Sequence, residues 1–164
     1  MSIKNKNNFL GRIYALEILV AYFYEVGNFY EFTFIKNDIL LKIDIEDIFL
    51  DIFNVTQEDI NFKLVGELLS YISNNYEKIN KIRKKYQIRQ SESLDHILII
   101  ILNMAIGEYM MSNMSAGIII SQYINICSIF HDGTNLIHGT LDKIFKNIKR
   151  EVTTLEYTSF EEKK

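Results

Sequence analysis

The sequence predicts an all-α single domain of six to seven helices. Three observations carry this expectation: apolar residues recur at three-and-four spacing along most of the chain, small polar capping residues stand before several of those stretches, and none of the 164 residues is a proline that would stop or kink a helix. The first helix is expected over residues 8 to 26, where Phe9, Ile13, Leu16, Leu19, Val20 and Phe23 form one stripe and Gly27 with Asn28 supplies a stop. A second is expected from a cap at Asn37 or Asp38 to about Phe53, on Leu40, Ile43, Phe49 and Ile52. Ile43 and Ile45 alternate with acids, so a short strand is the alternative there. Thr56 with Asp59 resembles a capping box opening a long helix, with Ile60, Leu64, Leu68, Tyr71, Ile72, Tyr76 and Ile79 along one stripe. A basic stretch, Lys81 to Gln90, separates it from a helix over Leu94 to Met111, which Ser91 or Ser93 can cap. Another helix is expected from Ser115 to Phe130, then a turn-rich break from His131 to Asn135, and a last helix from Leu136 to Ile148. Residues 1 to 150 read as one helical domain and 151 to 164 as a frayed tail.

Composition narrows the class. Hydrophobic residues make up 48% and charged residues 24%, the balance of a soluble globule, and the length suffices to bury a core without staples. A formal net charge of −3 argues against a protein that coats nucleic acid broadly, although phosphate contacts depend on where the cations sit. Cys127 is the only cysteine, which excludes an internal disulfide and points to a reducing compartment. The stretch Met1 to Asn8 is polar and lacks the apolar run of a secretory signal. The longest apolar run, Ile97 to Ile106, is half of the roughly 20 residues a membrane helix needs and reads as a buried helix. A cytoplasmic protein without membrane contact is expected.

No catalytic or metal chemistry emerges from the residue pattern. His96, His131 and His138 lack metal-ligand spacing, the seven glycines form no phosphate-cradling loop, and no cofactor is implied. His131-Asp132 reads as a turn before it reads as a ligand pair, and Cys127 in an apolar helix reads as inert packing before it reads as a nucleophile. Two segments can meet a polyanion. Lys4, Lys6 and Arg12 precede the first acid, Glu17, and Asn5, Asn7 and Asn8 add hydrogen-bonding groups. The second segment holds Lys78, Lys81, Arg83, Lys84, Lys85 and Arg89, with Lys78, Lys81, Lys85 and Arg89 on one face if helical. It reads first as a solvated helix end whose cations complement the macrodipole, and second as a phosphate track.

Three regions carry a family resemblance. Arg12-Ile13-Tyr14-Ala15-Leu16-Glu17-Ile18-Leu19 resembles the opening helix of the bacterial NusB family of transcription antitermination factors. Ile101-Leu102-Asn103-Met104-Ala105-Ile106-Gly107-Glu108 is similar to the family's later core helix, which ends in an apolar-x-Glu pattern. The strongest likeness is C-terminal. Ile118 to Cys127 sits where the family carries a Val-Ala-Ile-Asn-Glu-Ala type helix. Leu136 to Ile144 resembles its Phe-Val-Asn-Gly-Val-Leu-Asp-Lys segment, with Gly139, Leu141, Asp142 and Lys143 agreeing residue for residue.

The resemblance implies two packed helical bundles, no catalysis and no cofactor. It implies pairing with the small-subunit ribosomal protein that acts as NusE. Together the two would bind boxA-type single-stranded RNA within the RNA polymerase antitermination complex that transcribes ribosomal RNA genes. By position it implies RNA contacts from Arg12 and from the acidic loop residue Asp132; Lys4 and Lys6 of the positive leading end and Asn135 of the turn-rich break join them as candidate RNA contacts. Glu108 matches a glutamate on the partner side; a charge paired inside the bundle is its alternative role. The leading end and the loop around Asp132 are expected to share one surface. The chain departs from the family where Leu10 and Gly11 replace cations, Ser121-Gln122 replaces Asn-Glu, His138 replaces the asparagine before Gly139, and Asn103 replaces a basic residue. A helical adaptor without RNA binding is the rival reading; an rRNA methyltransferase would need a cofactor domain that these 164 residues do not contain. With so few cations, the isolated protein is expected to bind RNA weakly, with a shallow salt dependence. A steep slope of log affinity against log salt for the protein alone contradicts this.

Overall fold

The computed structural model of the chain describes residues 2–26, 48–87 and 94–150. Among them the secondary structure is helical throughout: α1 (Ile3–Val26), a short 3₁₀ turn (Gln57–Asp59), α2 (Phe62–Asn74), α3 (Tyr76–Tyr86), α4 (His96–Met111), α5 (Ala116–Phe130) and α6 (Thr134–Asn147). Residues 48–53 are also helical, and Asn54, with φ of 48°, turns the chain out of them. The Asn37 or Asp38 cap, the candidate strand at Ile43 and Ile45, the caps at Ser91 and Ser93, Arg89 and the tail 151–164 lie outside the described residues.

Helix α4 is the axis of the fold. Its sequence, HILIIILNMAIGEYMM, is apolar on every side rather than striped, and residues from Leu98 to Met110 are buried nearly without break. A helix apolar all round is stable in water only when neighbours surround it. Here α1, α2, α3, α5 and α6 all pack on it. They form two bundles that share α4: α1 with α2 on one side, and the closely packed pair α5 and α6 on the other, with α3 bridging to α6. Helix α1 runs antiparallel to α4, since Arg12 meets Glu108 and the Phe23 ring lies 4.4 Å from the His96 ring. Helix α6 runs with α4: Gly133 approaches Leu98 at one end, and Phe145 stacks on Tyr109 with ring centroids 3.9 Å apart at the other.

Three details depart from the sequence-based expectation. The capping group at Thr56 and Asp59 exists, with the Asp59 carboxylate accepting from the Thr56 N–H at 2.9 Å and hydroxyl at 3.1 Å, but it closes only the 3₁₀ turn. Helix α2 starts afterwards on Asn61, whose Oδ1 accepts from the Leu64 N–H at 3.0 Å and whose Nδ2 donates to Asn8 Oδ1 at 2.7 Å. The expected single stripe from Ile60 to Ile79 is broken at Asn75, which ends α2 and begins α3. Similarly, Asp95 rather than a serine caps α4, through a bond from the Ile97 N–H at 3.2 Å.

Close helix approach depends on Gly107. A Cβ there would meet Ile72 Cγ1 of α2 at 3.0 Å. Gly107→Val is therefore expected to lower stability by about 1–3 kcal/mol through overpacking, measured as a reduced urea midpoint with an unchanged m-value.

Candidate nucleic-acid interface

A buried charge network lies where α1 crosses the C-terminal half of α4. Arg12 and Glu108 are 3% and 1% exposed, and Arg12 Nη2 donates to Glu108 Oε1 at 2.6 Å. Arg12 Nε donates to Glu108 Oε2 at 2.9 Å, which makes the pair bidentate. The Tyr123 hydroxyl of α5 donates to the same Oε2 at 2.7 Å. Burial alone disfavours the charged guanidinium, but the hydrogen bonds and charge of Glu108 outweigh it and raise the pKa of Arg12 above its ordinary value. Burial first, and the neighbouring carboxylate second, push the Tyr123 phenol well above its ordinary range, so it remains a donor.

Over this network opens a cleft of about 560 Å³ between the start of α1, the start of α2 and the loop after α4. Lys4, Asn8, Asn61, Lys63, Glu67 and Asn113 line it, with Arg12 and Glu108 on its floor. Lys4 and Lys6 are exposed, and Lys6 Nζ lies 3.8 Å from Asp59 Oδ1. The loop is held in place by Arg150, whose guanidinium lies 3.9 Å over the Tyr109 ring and donates to the carbonyls of Ser112, at 3.1 Å, and Met114. The cleft combines cations and side-chain amides, groups that suit phosphate oxygens and base edges, with the carboxylate of Glu67, which lies 3.8 Å from Lys63 Nζ.

The structure corrects three expectations. Arg12 is not a surface cation, because its guanidinium is engaged by Glu108 in the interior. Glu108 is not a partner-facing carboxylate; the alternative, a charge paired inside the bundle, is what the helix crossing enforces. Arg12 and Asp132 do not share a surface. Asp132 and Asn135 are exposed at the other end of α4, where a Cβ on neighbouring Gly133 would meet Leu98. Leu98 and Glu108 are ten helical positions apart, about 15 Å along the axis.

Around Asp132 the contacts are those of a turn. The Gly133 N–H donates to His131 Nδ1 at 2.9 Å, and the imidazole lies between Asp132 at 3.2 Å and Asp95 at 3.7 Å. Cys127 is buried, its thiol held above the ordinary range by burial and then by the Asp132 charge. Among the described residues, no group of three or more His, Cys, Asp and Glu is placed to hold a metal ion, and no helix is long and apolar enough to cross a membrane. No protein-family model matches the chain, and no curated protein matches it.

Sequence reasoning did not single out Tyr123, Asn61, Lys63 or Asn113 for this site. Tyr123 had one legible signal, a hydroxyl inside an otherwise apolar helical stripe that needs a buried partner. Removing one member of the network leaves the other charge buried and unmatched. Glu108→Gln and Arg12→Met are each expected to cost about 3–5 kcal/mol, while the double replacement costs clearly less than the two combined. Urea unfolding of the four proteins in this cycle measures it; strict additivity contradicts a coupled pair.

Proposed function

We propose that this protein is a non-catalytic helical factor of the NusB type, which holds boxA-type single-stranded RNA together with a small-subunit ribosomal protein during transcription of ribosomal RNA. One observation carries the reading. The opening, central and late stretches that resemble the family are remote in sequence, yet Arg12, Glu108 and Tyr123, one from each, close on a single buried network directly beneath the cleft that Lys4, Asn8 and Lys63 line. The family-like residues thus act as the rigid floor, and the exposed lysines and amides above them are the groups that meet RNA. Single-stranded RNA suits such a cleft because unstacked bases reach side-chain amides while cations hold the backbone. Asp132 and Asn135, at the far end of α4, are left out of this interface.

A second reading, a protein–protein adaptor without RNA binding, is favoured by helix α5. That helix carries no charged residue over its 15 positions, and Ile118 and Ile129 are 50% and 49% exposed on it. Co-purification with the small-subunit ribosomal protein, followed by gel shift on a boxA-type RNA, separates the two. The RNA reading expects a shifted ternary complex, and Lys4→Glu with Lys6→Glu is expected to weaken it about tenfold. Capture of the ribosomal protein with no shift at any concentration supports the adaptor instead.

A further inference from the structure

Helix α3 concentrates positive charge. The whole chain carries −3, yet residues 77–85 hold Lys78, Lys81, Arg83, Lys84 and Lys85 against Glu77 alone. All four lysines are exposed. Among the described residues no carboxylate pairs with Lys81, Lys84 or Lys85, and Lys85 Nζ instead lies 5.1 Å over the Tyr86 ring.

Arg83 points inward from the same helix and is 2% exposed. Its Nε donates to Asn103 Oδ1 at 3.0 Å, its Nη1 to Gln87 Oε1 at 2.6 Å, and its Nη2 to Asn80 Oδ1. All three acceptors are neutral amides. A buried ion is ordinarily matched by an opposite charge, and dipoles alone do not neutralise it. Burial accordingly draws Arg83 below the ordinary arginine range. Asn80 links this charge to the surface: its side chain also lines a cleft of about 310 Å³ with Tyr76, Glu77, Lys81 and Lys84.

We propose that this face of α3 binds the phosphodiester backbone of single-stranded RNA, as a second track that shares no residue with the N-terminal cleft. The proposal rests on the RNA reading above. Complementing the helix dipole accounts for the cations of the last turn, Arg83, Lys84 and Lys85, but not for Lys78 and Lys81 earlier in the helix. The lysines form a row at helical spacing beside a half-buried tyrosine, an arrangement of phosphate contacts with a stacking ring. Lys81 and Lys84 touch phosphate.

The test is fluorescence anisotropy with labelled oligouridylate of about 16 nucleotides, across several salt concentrations, on the full chain. Wild type is compared with K81E/K84E and with K4E/K6E. K81E/K84E is expected to bind about tenfold more weakly and to flatten the log–log salt slope by about 1.4, the release from two phosphates at about 0.7 each. Its thermal melt should match wild type, since both side chains are exposed. Unchanged affinity and slope in K81E/K84E overturn the α3 track; if K4E/K6E then loses binding, the N-terminal cleft stands alone. Loss in K81E/K84E with K4E/K6E unaffected supports α3 and rejects the N-terminal cleft. Displacement of the RNA by polyglutamate at equal charge overturns the assignment to RNA backbone, as does absence of wild-type binding.

Discussion

Arg12 and Glu108 lie 96 positions apart and meet at 2.6 Å, both almost fully buried. The rest of the architecture depends on this contact being satisfied. An unmatched guanidinium or carboxylate there would cost several kcal/mol, a large fraction of the marginal stability of a domain this size. The bidentate geometry requires α1 to cross α4 in one register, and the Tyr123 hydroxyl requires α5 to arrive at the same point. The pair therefore selects among packings that the apolar surfaces alone would tolerate. Ridges of Ile and Leu slide with little penalty, whereas a forked ion pair does not.

Helix α4 supplies the complementary constraint. Being apolar on all sides, it demands a complete sheath, and five other helices provide it. Its two ends then serve different surroundings. The N-terminal end meets the turn at His131 to Gly133, and the C-terminal end meets the charge network and the loop clamped by Arg150. A rigid central rod of this kind separates surfaces that a sequence pattern would place together: Glu108, beneath the cleft, lies about 15 Å along the helix axis from Leu98, which packs by the turn that holds Asp132.

The two buried arginines contrast. Arg12 is matched by a carboxylate and a phenol, whereas Arg83 donates to the amides of Asn80, Gln87 and Asn103 with Tyr76 nearby. The first is an internal structural charge whose field is largely neutralised. The second lies behind a helix face that carries exposed lysines. In an acidic chain, such a local excess is where a polyanion gains most from electrostatic attraction.

Helix existence was legible because burial imposes a 3.6-residue period that the chain displays locally: Ile13, Leu16 and Leu19 announce α1, and Ile97 to Ile106 announces a helix surrounded by others. Boundaries were less legible where two signals competed, as at Asn75, where an unbroken apolar stripe concealed a helix junction. The site was legible in residue type but not in orientation. Arg12 and Glu108 stood out as charges in apolar surroundings, yet only the crossing of α1 over α4 decides that they face each other rather than solvent. Ile79 and Arg83 share the buried face of α3, a four-residue spacing that the sequence contained all along. What a chain determines by itself is periodicity, capping and local charge, because these involve neighbours a few residues apart. Which charge is buried, what matches it, and which surface remains for a partner are decided by contacts across tens of residues, and these exist only once the helices have packed.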